Sequence, residues 1–103
     1  MKKFTVASFK SFVKKNRANL LIKCNSSFSG MSDMVEYNEG ATFKAPTPTD
    51  RSEKNTLGIN GVWLVGGSRD FFKVSDNNGF RTVELYNCCG SSTVAVPLDK
   101  LAA

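Results

Sequence analysis

The chain has 103 residues, 41% hydrophobic and 22% charged, with eight Phe and one Trp. That is the size and composition of one globular domain with one core, and it excludes a disordered chain. There is no histidine, so Ser-His-Asp and Cys-His catalysis, the commonest general base and the commonest zinc ligand are all excluded.

The net charge of +5 is unevenly placed. Residues 1–32 hold seven cations, Lys2, Lys3, Lys10, Lys14, Lys15, Arg17 and Lys23, and no Asp or Glu. The other seven cations share residues 33–103 with all nine acids, an excess of two negative charges. The positive excess therefore belongs to the N-terminal segment and points to an anionic partner.

In chain order, Met1-Lys2-Lys3 resembles the start of a secretory n-region, but Ser8, Lys10 and Ser11 interrupt the apolar stretch behind it. No stretch approaches a membrane span. Three cysteines, Cys24, Cys88 and Cys89, are an odd number with two of them adjacent, which suits a reducing compartment. The expectation is a soluble, cytoplasmic protein with no membrane association.

Thr5 is placed to cap a helix running to about Asn16 or Asn19. Val6, Phe9, Phe12 and Val13 fall at offsets of 0, 3, 6 and 7, one face of a helix. At about 100° per residue, Lys3, Lys10, Lys14 and Arg17 form a stripe beside that face, and Lys15 points elsewhere.

Residues 20–24 read as a short strand and residues 25–30 as a turn. Residues 31–37 are ambiguous, with a second strand as one reading. Residues 41–45 alternate like a third strand, ended by Pro46 and Pro48. Residues 46–61 read as a long polar loop, of the kind that is functional or mobile in small domains. Val62-Trp63-Leu64-Val65 reads as a buried strand and residues 66–68 as a turn. A strand at 71–74, a hairpin turn at 75–79 containing Asn78-Gly79, and a strand at 80–86 follow. After a turn at 87–91, residues 93–96 form the last strand. The predicted class is α+β in a single domain (1–103): an N-terminal amphipathic helix packed on a curved antiparallel sheet, with a C-terminal β-meander.

Few chemistries are open to these residues. Three thiols lack the paired C-x₂-C spacing of a zinc site, and they read better as a small core residue and a strand end. A reactive thiolate needs Arg81 or Lys73 close to Cys88 or Cys89. Residues 66–70, Gly-Gly-Ser-Arg-Asp, have the composition of a phosphate cradle but neither the Walker spacing nor a following helix, so a tight turn is preferred. Asp33, Glu36 and Glu39 are spaced like a solvated edge, with no opposed carboxylate pair and no magnesium site. Phe80, Tyr86 and Arg81 suggest stacking of single-stranded bases, although no RNP-like motif accompanies them and alternating aromatics more often build a core. No cofactor motif is present, and no metal is expected.

The best positive signal is the basic stripe. Lys10, Lys14 and Arg17, with Arg51, Lys54 and Arg69 from the loops, are the candidate contacts to an anionic partner, either nucleic-acid phosphates or an acidic protein surface. The competing reading is an ordinary solvated helix face.

Two stretches, residues 26–33 (Ser-Ser-Phe-Ser-Gly-Met-Ser-Asp) and residues 63–91, resemble in style small proteins of phages and mobile elements, including anti-CRISPR inhibitors of bacterial defence. The likeness lies in a short, histidine-free chain with a helix ahead of a sheet. The group shares no motif, so no functional residue is carried over. The resemblance implies a binding protein that occupies a surface of a larger partner; the expectation is a non-enzymatic protein acting on a bacterial defence complex or nucleic-acid-handling complex, monomeric or, through an exposed edge strand, homodimeric. Many such inhibitors are acidic DNA mimics, and this basic chain departs from that pattern. The alternative expectation is a basic nucleic-acid-binding protein that uses the N-terminal helix.

Overall fold

The computed structural model describes residues 4–24, 43–50, 52–66, 69–87 and 90–102. The expected turn at 25–30, the ambiguous segment 31–37, and Cys88 and Cys89 lie outside the described residues.

The first helix, α1, spans Val6–Lys15. The Thr5 hydroxyl accepts from the Ser8 backbone N–H at 3.2 Å, satisfying one of the four unpaired donors at the helix start. At the other end the backbone N–H and side-chain amide of Asn16 both donate to the Phe12 carbonyl, at 3.1 and 2.9 Å. Lys14 and Lys15 occupy the last turn, where the helix dipole favours cations. A 3₁₀ turn at Arg17–Asn19 leads into β1, Leu21–Cys24.

Among the described residues the remaining strands are β2 (Phe71–Asn77), β3 (Phe80–Asn87) and β4 (Gly90–Pro97). They form one antiparallel sheet in the order β1-β4-β3-β2. The class is α+β, with the helix at the N-terminus and a C-terminal meander. Asn78 and Gly79 both have positive φ, 54° and 82°, the backbone of a type I′ turn. Strand pairing therefore runs through to Asn77↔Phe80, and the expected five-residue turn at 75–79 narrows to two residues.

Strand alternation divides the sheet into two faces. One face carries Phe72, Val83, Leu85, Val94, Val96 and Ile22. Phe9 and Val13 of α1 pack onto it, forming a single buried cluster with Leu20, Ile59, Val62 and Leu64. The Phe72 ring lies 5.0 Å from that of Phe9 and edge-on to Phe4 at 5.5 Å. Each fully buried large aliphatic or aromatic side chain here contributes about 1.5–3 kcal/mol.

Two expectations need correction. Residues 62–65 are not a strand. Val62 and Leu64 are buried, but the Leu64 N–H donates to the Asn55 carbonyl at 2.7 Å and the Val65 N–H to the Asp70 carboxylate at 2.9 Å. The donors go to the Glu53–Thr56 helix and to a loop carboxylate, so the segment lines the core without joining a ladder. Of the strand expected at 41–45, the described residues show one bridge. Ile22 and Lys44 exchange backbone hydrogen bonds at 2.8 and 3.0 Å, which covers the edge of β1 at that point.

The 46–61 segment is also more ordered than a polar loop. It contains a one-turn helix, α2 (Glu53–Thr56), and a bridge between Pro48 and Ile59. Ile59 is fully buried. The buried Thr56 hydroxyl donates to the Ser52 carbonyl at 2.8 Å and accepts from the Gly58 N–H at 3.2 Å.

Candidate binding groove on the basic face of helix α1

Lys10 and Lys14 are exposed one turn apart on α1, and Arg17 follows three residues later. Like charges at i and i+4 repel by about 0.2–0.5 kcal/mol. No acid on α1 offsets this, because the helix has none. An anion bound between the two lysines removes that repulsion.

Arg17 joins the helix to the loop. Its guanidinium donates from Nη1 to the Leu57 carbonyl at 2.8 Å and from Nη2 to the Gly58 carbonyl at 3.2 Å. These carbonyls lie at the C-terminal end of α2, where unpaired acceptors and the helix dipole favour a cation. The clamp closes one end of a groove of about 280 Å³ lined by Lys10, Val13, Lys14, Arg17, Glu53 and Leu57. Val13 is buried and forms the floor. Lys10, Lys14 and Arg17 stand on the α1 side, while α2 and its cap supply Glu53 and Leu57. Leu57 holds a left-handed backbone, φ 55° and ψ 25°, a conformation that costs a non-glycine residue about 1 kcal/mol.

The structure thus brings together three of the six cations named from the sequence. Lys54 is exposed on α2 but does not line the groove. Arg69, exposed just ahead of β2, does not line it either. Arg51 lies outside the described residues. The sequence reading passed over Val13, Glu53 and Leu57. The available signal was Ser52-Glu53 as a helix start and Gly58 as a stop, a pattern easily discounted inside a polar loop. The lining side chains include no His, Cys, Ser or Thr. They supply fixed charge and apolar surface, which suits binding.

Gly67 and Ser68 of the expected phosphate cradle lie outside the described residues, and the described Gly66 N–H is already engaged. Asp70 accepts from the Val65 N–H at 2.9 Å, the Gly66 N–H at 2.6 Å and the Asn87 side-chain amide at 2.9 Å. Its carboxylate takes the place an external anion would need.

The proposed stacking trio also separates. Arg81 lies on the helix-side face and pairs with Asp76 through Nε at 2.8 Å and Nη2 at 3.0 Å. That contact holds the Asp76 carboxyl below its ordinary pKa, chiefly by hydrogen bonding. Phe80 and Tyr86 are on the opposite face, at the two ends of β3. Arg81 is also some 20 Å along β3 from Asn87 at about 3.3 Å per residue, which takes it away from the strand end that precedes Cys88. Tyr86 instead sits beside its cross-strand partner Phe71, with ring centroids 6.2 Å apart. Its hydroxyl donates to Glu84 at 2.7 Å, and this bond raises the phenol's pKa above 10, with burial and the Glu84 charge adding to it.

Among the described residues, no cluster of three His, Cys, Asp or Glu is placed to hold a metal, and no helix is long and apolar enough to cross a membrane. Comparison with known protein families, curated proteins and solved structures finds no match to this chain.

Proposed function

We propose that this chain is a non-enzymatic binding domain that docks the basic face of α1 onto an anionic surface of a larger protein. The setting we propose is that of small phage and mobile-element proteins that inhibit a bacterial defence complex, in the manner of anti-CRISPR proteins, or a nucleic-acid-handling complex, in the host cytoplasm. The observation that carries the reading is the convergence of Lys10, Lys14 and Arg17 on one groove, with no acid on their helix. The groove's composition favours a protein partner over a nucleic acid, since Leu57 gives it an apolar wall that a phosphate backbone does not use.

The direct alternative is nucleic-acid binding through the same lysines. Fluorescence anisotropy with labelled single- and double-stranded DNA and RNA, at low and physiological salt, separates the two. A protein-docking domain binds these weakly even at low salt. Tight binding whose log–log salt slope falls when Lys10 and Lys14 are reversed to Glu is the signature of phosphate contacts, and would replace the proposal with the alternative. Capture of a bacterial protein complex by the wild type, lost in the Lys10→Glu/Lys14→Glu variant with its fold intact, is the expected positive result. Capture indifferent to that reversal would reduce the stripe to a solvated face.

A further inference from the structure

Resting on that reading of the α1 face, we infer that the groove between α1 and α2 takes an acidic peptide segment of the partner, with one bulky apolar side chain seated against Leu57 and flanking carboxylates held by Lys10 and Lys14. Three observations converge on this ligand. At about 280 Å³ the groove is just below the range of small-molecule pockets, about 300–1,000 Å³, and suits one large side chain. Its charge is two-sided: Lys10, Lys14 and Arg17 face a single Glu53. A phosphodiester strand has no aliphatic group for the apolar wall, whereas a peptide supplies both carboxylates for the lysines and an apolar side chain. The third observation is Leu57 itself. It stands at the position after a helix where Gly or Asn is favoured, at φ 55°. It packs partly against the core and turns the rest of its surface to the groove. Leu57 therefore supplies an apolar wall to the groove as well as a contact to the core.

The test uses the full chain and three fluorescein-labelled probes: a peptide with one leucine flanked on both sides by glutamates, the same peptide with serine for leucine, and oligothymidylate. The leucine peptide should bind at least tenfold more tightly than the serine peptide, the scale of burying one leucine side chain. Lys10→Glu/Lys14→Glu should abolish binding of both. Leu57→Asn keeps a residue that accepts the left-handed backbone and removes the apolar wall, so the leucine-to-serine preference should fall towards one. Glu53→Gln, at an exposed site, is the second variant should Leu57→Asn unfold, and it should tighten the leucine peptide about two- to fivefold at low salt. Equal affinity for the two peptides, or an unchanged preference in folded Leu57→Asn, overturns the assignment. So does unchanged affinity in Glu53→Gln. Oligothymidylate binding that depends on Lys10 and Lys14, with no peptide binding, sinks the peptide ligand and leaves the basic face standing. No binding of any probe, together with partner capture indifferent to Lys10 and Lys14, sinks both.

Discussion

Replacing Asp70 with Ala tests whether its carboxylate is the internal anion that holds the Val65 and Gly66 N–H groups. The substitution removes the acceptor for three donors: the Val65 and Gly66 backbone N–H groups and the Asn87 amide, at 2.9, 2.6 and 2.9 Å. A hydrogen bond to a charged group is worth about 1.5–3 kcal/mol. The three are not additive here. All are part-buried, and the Asn87 amide also donates to the Trp63 carbonyl at 2.9 Å. The loss is therefore nearer that of one or two bonds, about 2–4 kcal/mol, a large part of the total stability of a small domain. At about 4–8 °C per kcal/mol for a domain of this size, Tm should fall by about 8–32 °C. Asp70→Asn keeps one acceptor oxygen but turns an amide N–H₂ towards a backbone donor, so it should lose roughly half as much. Thermal melts followed by circular dichroism read both. Added inorganic phosphate should leave the wild-type Tm unchanged, because the site is filled, and raise that of Asp70→Ala. A Tm for Asp70→Ala within a degree or two of wild type, or a phosphate gain larger in the wild type, would refute the reasoning.

Phe9→Ala empties a fully buried position against Phe72 and should cost about 3–5 kcal/mol, read by urea denaturation. Asn16→Ala should cost about 1–3 kcal/mol, because buried Asn16 accepts from the Ala102 N–H at 2.7 Å and donates to Phe12. Amide exchange at Ala102 should rise with it. Arg17→Lys keeps the charge but loses the fork on Leu57 and Gly58. It should lower Tm by about 4–8 °C, for roughly 1 kcal/mol, and weaken acidic-peptide binding more than its unchanged charge accounts for. In a Tyr37→Phe background, ultraviolet titration of Tyr86, then the sole tyrosine, should show a midpoint above that of free tyrosine, lowered by Glu84→Gln. Because the folded value is raised, the Tyr86–Glu84 contribution to stability is complete below the unfolded value near 10 and is lost as pH rises through the folded one. Asp76 runs the opposite way. Its folded value is depressed, so its contribution holds above the unfolded value and is lost as pH falls through the folded one.

How much of this was legible depends on how far apart in the chain the deciding groups lie. The α1 helix was readable because everything that makes it is local: the Thr5 cap, the Val6, Phe9, Phe12 and Val13 spacing, and Asn16 closing onto Phe12. The β2–β3 hairpin was readable for the same reason, since Asn78-Gly79 supplies the two positive-φ residues a type I′ turn requires. The 62–65 run misled because a short apolar segment between turn residues has the same pattern whether its donors meet a strand or other groups. Which of these it meets is decided by Asn55, nine residues before Leu64, and by Asp70, five after Val65. The stacking idea at Phe80, Arg81 and Tyr86 failed on register. Alternation puts Arg81 on the other face from the two rings, and the neighbour of Tyr86 is Phe71, which only strand pairing identifies.

The groove is the instructive intermediate case. Its cationic wall was visible because helical periodicity aligns Lys10, Lys14 and Arg17. Its apolar wall was not, because Leu57 reaches the helix through a contact 40 residues long in sequence. Arg17 explains why the two walls face each other at all. α2 is one turn long, too short to be stable alone, and the guanidinium fork donates to the two carbonyls that follow its C-terminal end. Arg17, one of the candidate anion-binding cations, is therefore also the strut that shapes the site. Charge and shape in this groove share one side chain, and a partner that reads both must be one for which an apolar pocket matters as much as a positive field. An acidic peptide meets that condition. A phosphate backbone, which responds to charge alone, does not.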